Sequence, residues 1–573
     1  MKNSNSHINS YLPVLFFILL AGLIRARINF SSEMIPGING GYYPLLVRNL
    51  LEYGSIRYPD APLVYWIQAL ISLIIKFFSG MNIDQAVLLA SRLFDSFIPP
   101  LTCLPVFLVA RYHLKAQPKS GVFILLITGF SVLYLSFLMI LTSEMQKNAA
   151  GLLWVACYLF SLSRITAENK HKYILISLIF LTLIAFTHIG CFAVAFLFTL
   201  IYGIIYLVRS AKRIRMKTIM IVLSVFAGLI LISFAILAKD PDRLHRVISF
   251  YLNPLRIFES PYLFVLLSGQ QVYYGFLFHN FLIINIFSIA GFIIILINRK
   301  NLSSSDLSFA LSLCALSLLL SSPLIGIEWA LRYYLMAFLP ISFVFIYAYK
   351  SLTNKFLRIL LSTVLFVLTL FSTVVGINGK RNPAISSESY ADLKQLKSGI
   401  SINPDDLIVA RHGLEWWTGW VMRCRTGKEY CLRPEDWEKY PHIYLLRQKA
   451  GNNYPSHQGS GQFAEFPIPE TAEKISSNES FDIYILIKPT ENQYYPGDLP
   501  LLQGEIRSVN GALLTIRSQG YLQRVILSTS TQYITSQPTE IKPRMRADIW
   551  GKRIPFSLNI KAERVKIYAE ATR

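Results

Sequence analysis

The chain has 573 residues, of which 53% are hydrophobic and 15% are charged, and its mean hydropathy is +0.44. Because soluble globular proteins carry about 25% charged residues, this composition excludes an ordinary soluble domain and predicts an integral membrane protein. The formal net charge of +22 does not indicate a nucleic-acid partner. Much of the excess lies in loops between apolar segments, where it orients helices and meets anionic lipid.

The first apolar segment covers residues 11–24 and predicts a spanning helix, since Arg25 follows it at once and no small-residue cleavage pattern is present. Further apolar segments lie near 62–79, 120–141, 147–163, 173–188, 191–208, 217–238, 277–298, 306–324, 333–349 and 356–376. Residues 84–110 are apolar but contain Pro99-Pro100, so they either cross twice as short broken helices or lie partly in the interface. At about 20 residues per crossing, we expect about 11–13 transmembrane helices.

Lysine and arginine crowd alternate loops of this pattern. They occur as Arg111/Lys115/Lys119, Arg164/Lys170/Lys172, Arg209/Lys212/Arg213/Arg215/Lys217, Arg299/Lys300 and Lys350/Lys355/Arg358. The positive-inside rule places these loops and the N-terminus in the cytoplasm, and residues 377–573 outside a bacterial or archaeal inner membrane. The outer face then carries Glu33, Asn39, Asp60, Glu144, His188, Glu328 and Arg332. An acidic and histidine-bearing face on a many-helix protein indicates chemistry on a lipid-carried substrate.

The tail divides the remaining chain into two regions. Residues 1–378 form the transmembrane domain, 379–497 a mixed α/β region, and 498–573 a region of about five short strands that predicts a small β-barrel of the OB type. Asn510-Gly511 between alternating apolar runs predicts a hairpin there. OB-type barrels often bind nucleic acid or sugar, but a stabilising or docking role is favoured here because a fold alone does not give function.

Two of the six cysteines lie close together in the tail. Cys424 and Cys431 are seven positions apart, and a local disulfide is plausible in an oxidising compartment. A metal pair is less favoured, because only two ligands are local.

The first outer loop places an acidic residue, Glu33, before the Tyr-rich run Gly40-Gly41-Tyr42-Tyr43, and continues through Gly54 and a Pro-rich turn to the second span. This order resembles the first outer loop of the GT-C superfamily, the polytopic glycosyltransferases that use polyprenyl-phosphate-linked donors. The resemblance covers the layout of residues 1–380 through short motifs. It implies a GT-C-like helical domain in which Asn39, Tyr42, Tyr43 and Arg48 contact the substrate.

At the position where the family places its catalytic Asp, this chain has Asn39. An amide cannot act as a base and is a poor ligand for a hard metal. Glu33 or Asp60 could take over that role, and the alternative for each is a solvated loop carboxylate.

The second outer loop, Thr142–Asn148, is similar to the family's second acidic loop, which holds metal or the donor phosphate. The resemblance implies that Glu144 and Asp60 act as catalytic carboxylates or as ligands of a divalent metal such as Mg or Mn, with Lys147 contacting the substrate. Glu144 could instead be an ordinary carboxylate near a helix N-terminus. For His188 a capped structural residue is favoured over a phosphate or metal contact.

Two further motifs carry the resemblance. Glu328 and Arg332 open a span that contains Pro340, similar to the Arg-aromatic and Pro signature of late GT-C helices, where the Arg binds the lipid phosphate. Snorkelling or an Arg332–Glu328 pair is the alternative. In the tail, His412, Glu415, Trp416 and Trp417 resemble the Trp-Trp motif that oligosaccharyltransferases use near their acceptor, although packing of the tail is the favoured interpretation.

These features together predict a membrane glycosyltransferase that moves a sugar from a polyprenyl-phosphate donor to an acceptor at the outer face of the inner membrane. A catalytically degenerate relative that serves polysaccharide assembly is the first alternative, and Asn39 favours it. A transporter or flippase is the second, against which no paired inverted halves are visible.

Overall fold

The computed structural model describes residues 11–115, 117, 120–168, 172–210, 252–267, 275–428, 432, 435–449, 468, 472–488, 500–518, 521–534 and 541–568. Within these ranges, seven helical segments are long and apolar enough to cross a membrane, which is compatible with a multi-pass membrane protein. Four shorter apolar helices accompany them. The predicted span at 217–238 lies outside the described residues.

The helices of this domain follow one another in chain order with short connections. They are α1 (Leu12–Asn29), α2 (Tyr42–Tyr53), α3 (Leu63–Ser79), α4 (Ile83–Phe97), α5 (Cys103–Leu114), α6 (Ser120–Leu133), α7 (Gln146–Glu168), α8 (Lys172–Thr187), α9 (Ile189–Ser210), α10 (Tyr262–Leu267), α11 (Gly275–Ile297), α12 (Ser304–Leu320), α13 (Ile327–Ser351) and α14 (Lys355–Asn378). Short 3-10 turns at Pro254–Phe258 and Arg299–Asn301 and a π-helical turn at Ser136–Ile140 connect some of them.

The segment that the sequence left open, 84–110, forms a broken helix. Helices α4 and α5 are joined by the 3-10 turn Pro99–Thr102, and together they cover 32 residues of apolar chain. Proline lacks the N–H that an α-helix needs and its ring clashes with the preceding turn. The proline pair therefore explains why the α-helix is interrupted at this point.

Helix α13 lies at the centre of the helical domain. Its segment Arg332–Ser351 is 94% buried, whereas the spans in α9 and α14 are 22% and 28% buried. Polar residues in the core are satisfied locally, as in Ser342, whose hydroxyl donates to the carbonyl of Phe338 at 2.9 Å. A buried central helix and apolar outer helices are what a bundle surrounded by lipid requires.

The basic loops meet at the end of the bundle opposite the tail. Lys350 Nζ lies 2.8 Å from Asp306 Oδ2 and 3.3 Å from His113 Nδ1. Gln117 donates to the carbonyl of Lys350 at 2.8 Å, and the guanidinium of Arg164 lies 4.0 Å from the ring centre of Tyr112. Loops that the charge pattern assigned to one side of the membrane thus share one end of the structure.

The first tail region is a sheet flanked by helices. Its elements are α15 (Ser387–Ser398), β1 (Leu407–Ala410), α16 (Leu414–Met422), β2 (Arg425–Lys428), α17 (Asp436–Lys439), β3 (Ile443–Gln448), β4 (Glu473–Ser477) and β5 (Phe481–Ile485). The strand order is β2-β1-β3-β5-β4, with β1 parallel to both β2 and β3. Apolar side chains of this region, such as Ile408 and Trp417, share one core with Leu45 and Val47 of α2, so the tail packs directly on the outer loop helix.

The last region is a closed, barrel-like sheet. Its strands are β6 (Leu502–Asn510), β7 (Leu513–Ser518), β8 (Tyr521–Ile526), β9 (Gln532–Tyr533), β10 (Arg546–Arg553) and β11 (Asn559–Tyr568). The order β10-β6-β7-β8-β11 closes through the β10–β11 pairing, and β9 adds to β11. The β6–β7 hairpin turns at Gly511, whose φ of +56° favours glycine. The ring of Phe556 stacks on Phe258 at 4.6 Å, which docks this sheet on the helical domain.

Candidate functional site

A buried carboxylate, Asp60, lies where the first outer loop meets the start of α7. Its Oδ2 accepts hydrogen bonds from the hydroxyls of Tyr42 and Tyr65. The same oxygen forms an ion pair with the ammonium of Lys147, and the two side chains are only 8% and 13% exposed. Asp60 Oδ1 accepts from the backbone N–H of Ala61 at 2.7 Å. The sequence-predicted residues Tyr42, Asp60 and Lys147 are therefore brought together.

The surroundings of Asp60 set its protonation. Burial alone would raise the pKa of the carboxyl, but the ammonium of Lys147 and the hydrogen bonds from the two tyrosines outweigh it and hold the pKa well below its ordinary range. Burial and the negative charge of Asp60 raise the pKa of Tyr42 well above its ordinary value. Asp60 is thus an ionised acceptor at physiological pH, and a carboxylate of such low basicity is a weak general base.

The second carboxylate, Glu144, is paired with an arginine from the tail. Arg381 lies just after α14 and binds the Glu144 carboxylate through one guanidinium nitrogen. Its other terminal nitrogen donates to three carbonyls of the preceding loop, the closest being that of Thr142 at 2.7 Å. The first residues of the tail therefore fix the geometry of the second outer loop.

A close backbone approach holds the first outer loop against Glu144. The N–H of Gly37 donates to the carbonyl of Asn382 at 2.9 Å. Gly37 has a φ of +89°, and a Cβ at this position would lie 3.0 Å from the Cβ of Glu144. Any other residue at Gly37 would be strained and would push Glu144 aside.

Tyr43 joins the two acid–base pairs. Its hydroxyl donates to the carbonyl of Glu144 at 3.3 Å and accepts from the backbone N–H of Lys147 at 3.4 Å. Asn39, three residues before Tyr42, is half-buried, and its carbonyl accepts from the N–H of Tyr42 at 3.1 Å. The two pairs thus belong to one connected cluster, which we call the outer-loop cluster and define as Tyr42, Tyr43, Asp60, Tyr65, Glu144, Lys147 and Arg381.

A fully buried ion pair supports this cluster from below. Arg25 lies 2.7 Å from Asp95, and neither side chain is exposed. Asp95 also accepts from the side chain of Asn29 and from the backbone N–H of Ser143, both at 2.8 Å. Ser143 has a φ of +63°, an unusual conformation for a residue with a side chain. Asp95 therefore holds the turn from which Glu144 projects.

Sequence reasoning did not select Arg25, Asp95, Tyr65 or Arg381 as site residues. A signal was available for the first pair, because opposite charges inside two apolar segments cost free energy unless they meet. Arg381 follows the last span immediately, where a basic residue has no distinguishing pattern. Its role depends on a contact between positions that are 237 residues apart.

The tail helix α16 covers α2, and the predicted substrate contact Arg48 is used in that interface. Arg48 is 1% exposed, and it donates to the carbonyls of Trp420 at 2.6 Å and Gly419 at 3.0 Å. Its guanidinium lies 4.3 Å from the ring centre of Trp420. This geometry favours a docking role for Arg48 over the substrate contact that the resemblance implied.

The tryptophan pair takes part in the same packing. The ring of Trp416 lies 4.6 Å from that of Tyr42, and Trp417 is fully buried. A Cβ on Gly41 would lie 3.0 Å from Trp417, so glycine is needed for the approach. These contacts accord with the packing interpretation of the Trp-Trp motif, although Trp416 also borders the outer-loop cluster.

The structure leaves several predicted residues outside the outer-loop cluster. Glu33 is 63% exposed and lies 3.6 Å from Lys394. His188 accepts from the N–H of Cys191 at 3.3 Å, which favours a local structural role. His412 pairs with the buried Glu415 at 2.9 Å.

For two predictions the described residues give only part of the answer. Cys424 is buried, but its expected disulfide partner Cys431 lies outside the described residues. The side chain of Glu328 is not among the described side chains either, so the alternative Arg332–Glu328 pair stays a prediction.

Arg332 is exposed near the start of α13, with its guanidinium 5.8 Å from the ring centre of Trp329. One turn later on the same helix face, Met336 Sδ lies 3.8 Å from Cys191 Sγ, which lies 3.7 Å from the carbonyl of Asn148. Arg332 therefore stands one helical turn from a contact with the residue after Lys147. Its predicted contact with a lipid phosphate is compatible with this position.

The donor set does not suit the divalent metal that the resemblance implies. Among the residues that the structure describes, no three His, Cys, Asp or Glu side chains converge. The Asp60 oxygens already accept from an ammonium, two hydroxyls and a backbone amide. Since Glu144 is matched by Arg381, the two carboxylates and two cations of the cluster sum to zero charge.

The sequence matches no protein-family model and no curated protein. The resemblance to the GT-C superfamily therefore remains a prediction, and the functional conclusion depends on the geometry of the outer-loop cluster.

Proposed function

We propose that this chain is a membrane glycosyltransferase of the GT-C type, which transfers a sugar from a polyprenyl-phosphate-linked donor to a lipid, glycan or protein acceptor at the outer face of the inner membrane. The observation that carries the proposal is the outer-loop cluster, in which Asp60 with Lys147 and Glu144 with Arg381 lie together at the ends of apolar helices. Ionisable groups in such a place commonly mark a substrate path.

The proposed roles follow from the charges. The donor reaches the cluster laterally from the bilayer, and its phosphate meets Lys147. Arg332 supplies a second, permanently charged contact whose planar guanidinium suits phosphate oxygens. The acceptor oxygen attacks the anomeric carbon, the bond from that carbon to the phosphate oxygen breaks, and the polyprenyl phosphate leaves. Glu144 receives the acceptor proton, because Asp60 is too weakly basic for that step.

The test is release of polyprenyl phosphate by the purified full-length chain from a panel of polyprenyl-phosphate hexoses and pentoses in lipid nanodiscs. Glu144→Gln should lower the release rate at least about 100-fold, as loss of a catalytic carboxylate does. Glu33→Gln is the matched control, because Glu33 is exposed and paired with a surface lysine, and it should keep full activity. Normal release by Glu144→Gln would remove Glu144 from the reaction.

A second candidate function, a degenerate GT-C relative that serves polysaccharide assembly without transfer, is favoured by two features. The chain has Asn39 where the family has its Asp, and both acids of the cluster are already paired. On this alternative the wild-type chain releases no polyprenyl phosphate from any donor. Substitutions of Asp60 and Glu144 would then alter only stability.

A further inference from the structure

We propose that the ammonium of Lys147 is the resident cation of the outer-loop cluster and that the cluster binds a lipid phosphate without a divalent metal. This inference rests on the proposed function, which it deepens by assigning the phosphate contact to one residue. The first step is the occupancy of Asp60. Its Oδ2 accepts from Lys147 and from the hydroxyls of Tyr42 and Tyr65. A metal ion would have to displace these donors before it reached that oxygen.

The position of Lys147 suits an anion. It is the second residue of the 23-residue helix α7, where the helix dipole adds positive potential. The rings of Tyr42 and Tyr65 have centres 5.4 and 5.9 Å from the ammonium, so two aromatic faces and Asp60 orient it. Its side chain is 13% exposed, which leaves part of the surface accessible to a ligand oxygen.

The rest of the cluster accounts for the departure at residue 39. A divalent cation in a hard-metal site needs several carboxylate or carbonyl oxygens. Here the amide of Asn39 carries no charge, and Glu144 is bound by Arg381. One fixed monovalent cation beside Asp60 needs fewer acidic partners than a divalent metal. Loss of the acid at position 39 and the presence of Lys147 are therefore two parts of the same arrangement.

The experiment measures binding rather than turnover. Full-length protein in nanodiscs is mixed with a polyprenyl monophosphate, with the matching polyprenol or with inorganic phosphate, in EDTA and in excess Mg²⁺ or Mn²⁺. Native mass spectrometry and the shift in thermal unfolding are the readouts. We expect the polyprenyl monophosphate to bind equally well in EDTA and in metal. Weak binding of the polyprenol would show that the phosphate is recognised, and weak binding of inorganic phosphate that the lipid is also needed.

The variants separate a phosphate contact from a structural residue. Lys147→Met leaves Asp60 buried without its ion pair and could unfold the site, so the double variant Lys147→Met/Asp60→Asn removes both charges. It should fold and bind the polyprenyl monophosphate about 10- to 100-fold more weakly, the range for one charge-assisted hydrogen bond. Asp60→Asn alone keeps the ammonium and should retain most of the affinity. Lys394→Met is the control for loss of one exposed lysine.

Each outcome decides one of the two proposals. Binding that requires Mg²⁺ or Mn²⁺ would overturn the role of Lys147 and leave the glycosyltransferase proposal standing. Metal-independent binding that is unchanged in the double variant would likewise overturn the role of Lys147. No binding of the polyprenyl monophosphate under any condition would overturn the proposed function itself.

Discussion

Replacement of Arg25 by methionine should destabilise the protein strongly, because it leaves Asp95 as a buried charge without a cation. Both side chains are fully buried and 2.7 Å apart, and Arg25 also donates to the carbonyls of Asp95 at 2.8 Å and Phe137 at 2.5 Å. Removal of one partner of such a pair costs about 3–5 kcal/mol. Arg25→Met should therefore lower the free energy of unfolding by about 4 kcal/mol.

The double variant Arg25→Met/Asp95→Asn identifies the cause. It removes both charges, and one amide oxygen still accepts from either Asn29 or the N–H of Ser143, so the remaining loss is about 1–2 kcal/mol for the missing hydrogen bond. The assay is reversible SDS titration in mixed micelles, followed by circular dichroism. Lys350→Met is the control, since its pair with Asp306 is 24% exposed on the lysine side, and it should cost clearly less. A single variant within about 1 kcal/mol of wild type, or a double variant as unstable as the single, would refute the reasoning.

Further predictions concern the tail, the phosphate contact, the topology and pH. Arg48→Ala should loosen the tail helix, because two hydrogen bonds to buried carbonyls are lost, and faster limited proteolysis of the tail than in wild type would verify it. Arg332→Ala should abolish polyprenyl-phosphate release with little loss of folded protein, and Lys should rescue only partly because it lacks the planar fork; a fully active Ala variant would reduce Arg332 to a snorkelling residue. An exposed cysteine introduced as Ser398→Cys in a Cys431→Ser background should react with an impermeant reagent on intact cells, and protection until lysis would reverse the assigned sidedness. The pKa of Asp60 is lowered on folding, so its stabilising contribution is full above the unfolded pKa of about 4 and is lost as pH falls below it; unfolding midpoints between pH 3 and 7 should therefore drop more steeply for wild type than for Asp60→Asn.

Much of the architecture could be predicted from the sequence, because its signals are local. Apolar runs of spanning length and the alternation of basic loops appear as long apolar helices whose basic connections gather at one end. Asn510-Gly511 specified a hairpin through the left-handed conformation that glycine adopts easily. The break at Pro99-Pro100 was visible as a problem, but its solution as a 3-10 turn needed three-dimensional packing.

The candidate site was only partly predictable, because its partners come from distant segments. Asp60, Glu144 and Lys147 stood out as charged residues between spans. That Lys147 neutralises Asp60 and that Arg381 neutralises Glu144 depends on contacts across 87 and 237 residues. Arg48 carried the opposite lesson. A charge in a functional-looking loop is buried against tail carbonyls, because a guanidinium can satisfy backbone acceptors as well as a phosphate.

Photo-cross-linking tests most directly whether the outer-loop cluster is a lipid-phosphate site. The full-length chain in nanodiscs would be irradiated with a polyprenyl phosphate that carries a diazirine on the isoprenoid unit next to the phosphate, and the labelled peptides would be mapped by mass spectrometry. We predict labelling within the segments 42–66 and 144–151, competed by unlabelled polyprenyl phosphate and lost in Lys147→Met/Asp60→Asn. Labelling confined to the basic loops at the opposite end of the bundle, or labelling that the unlabelled lipid does not compete, would contradict this site.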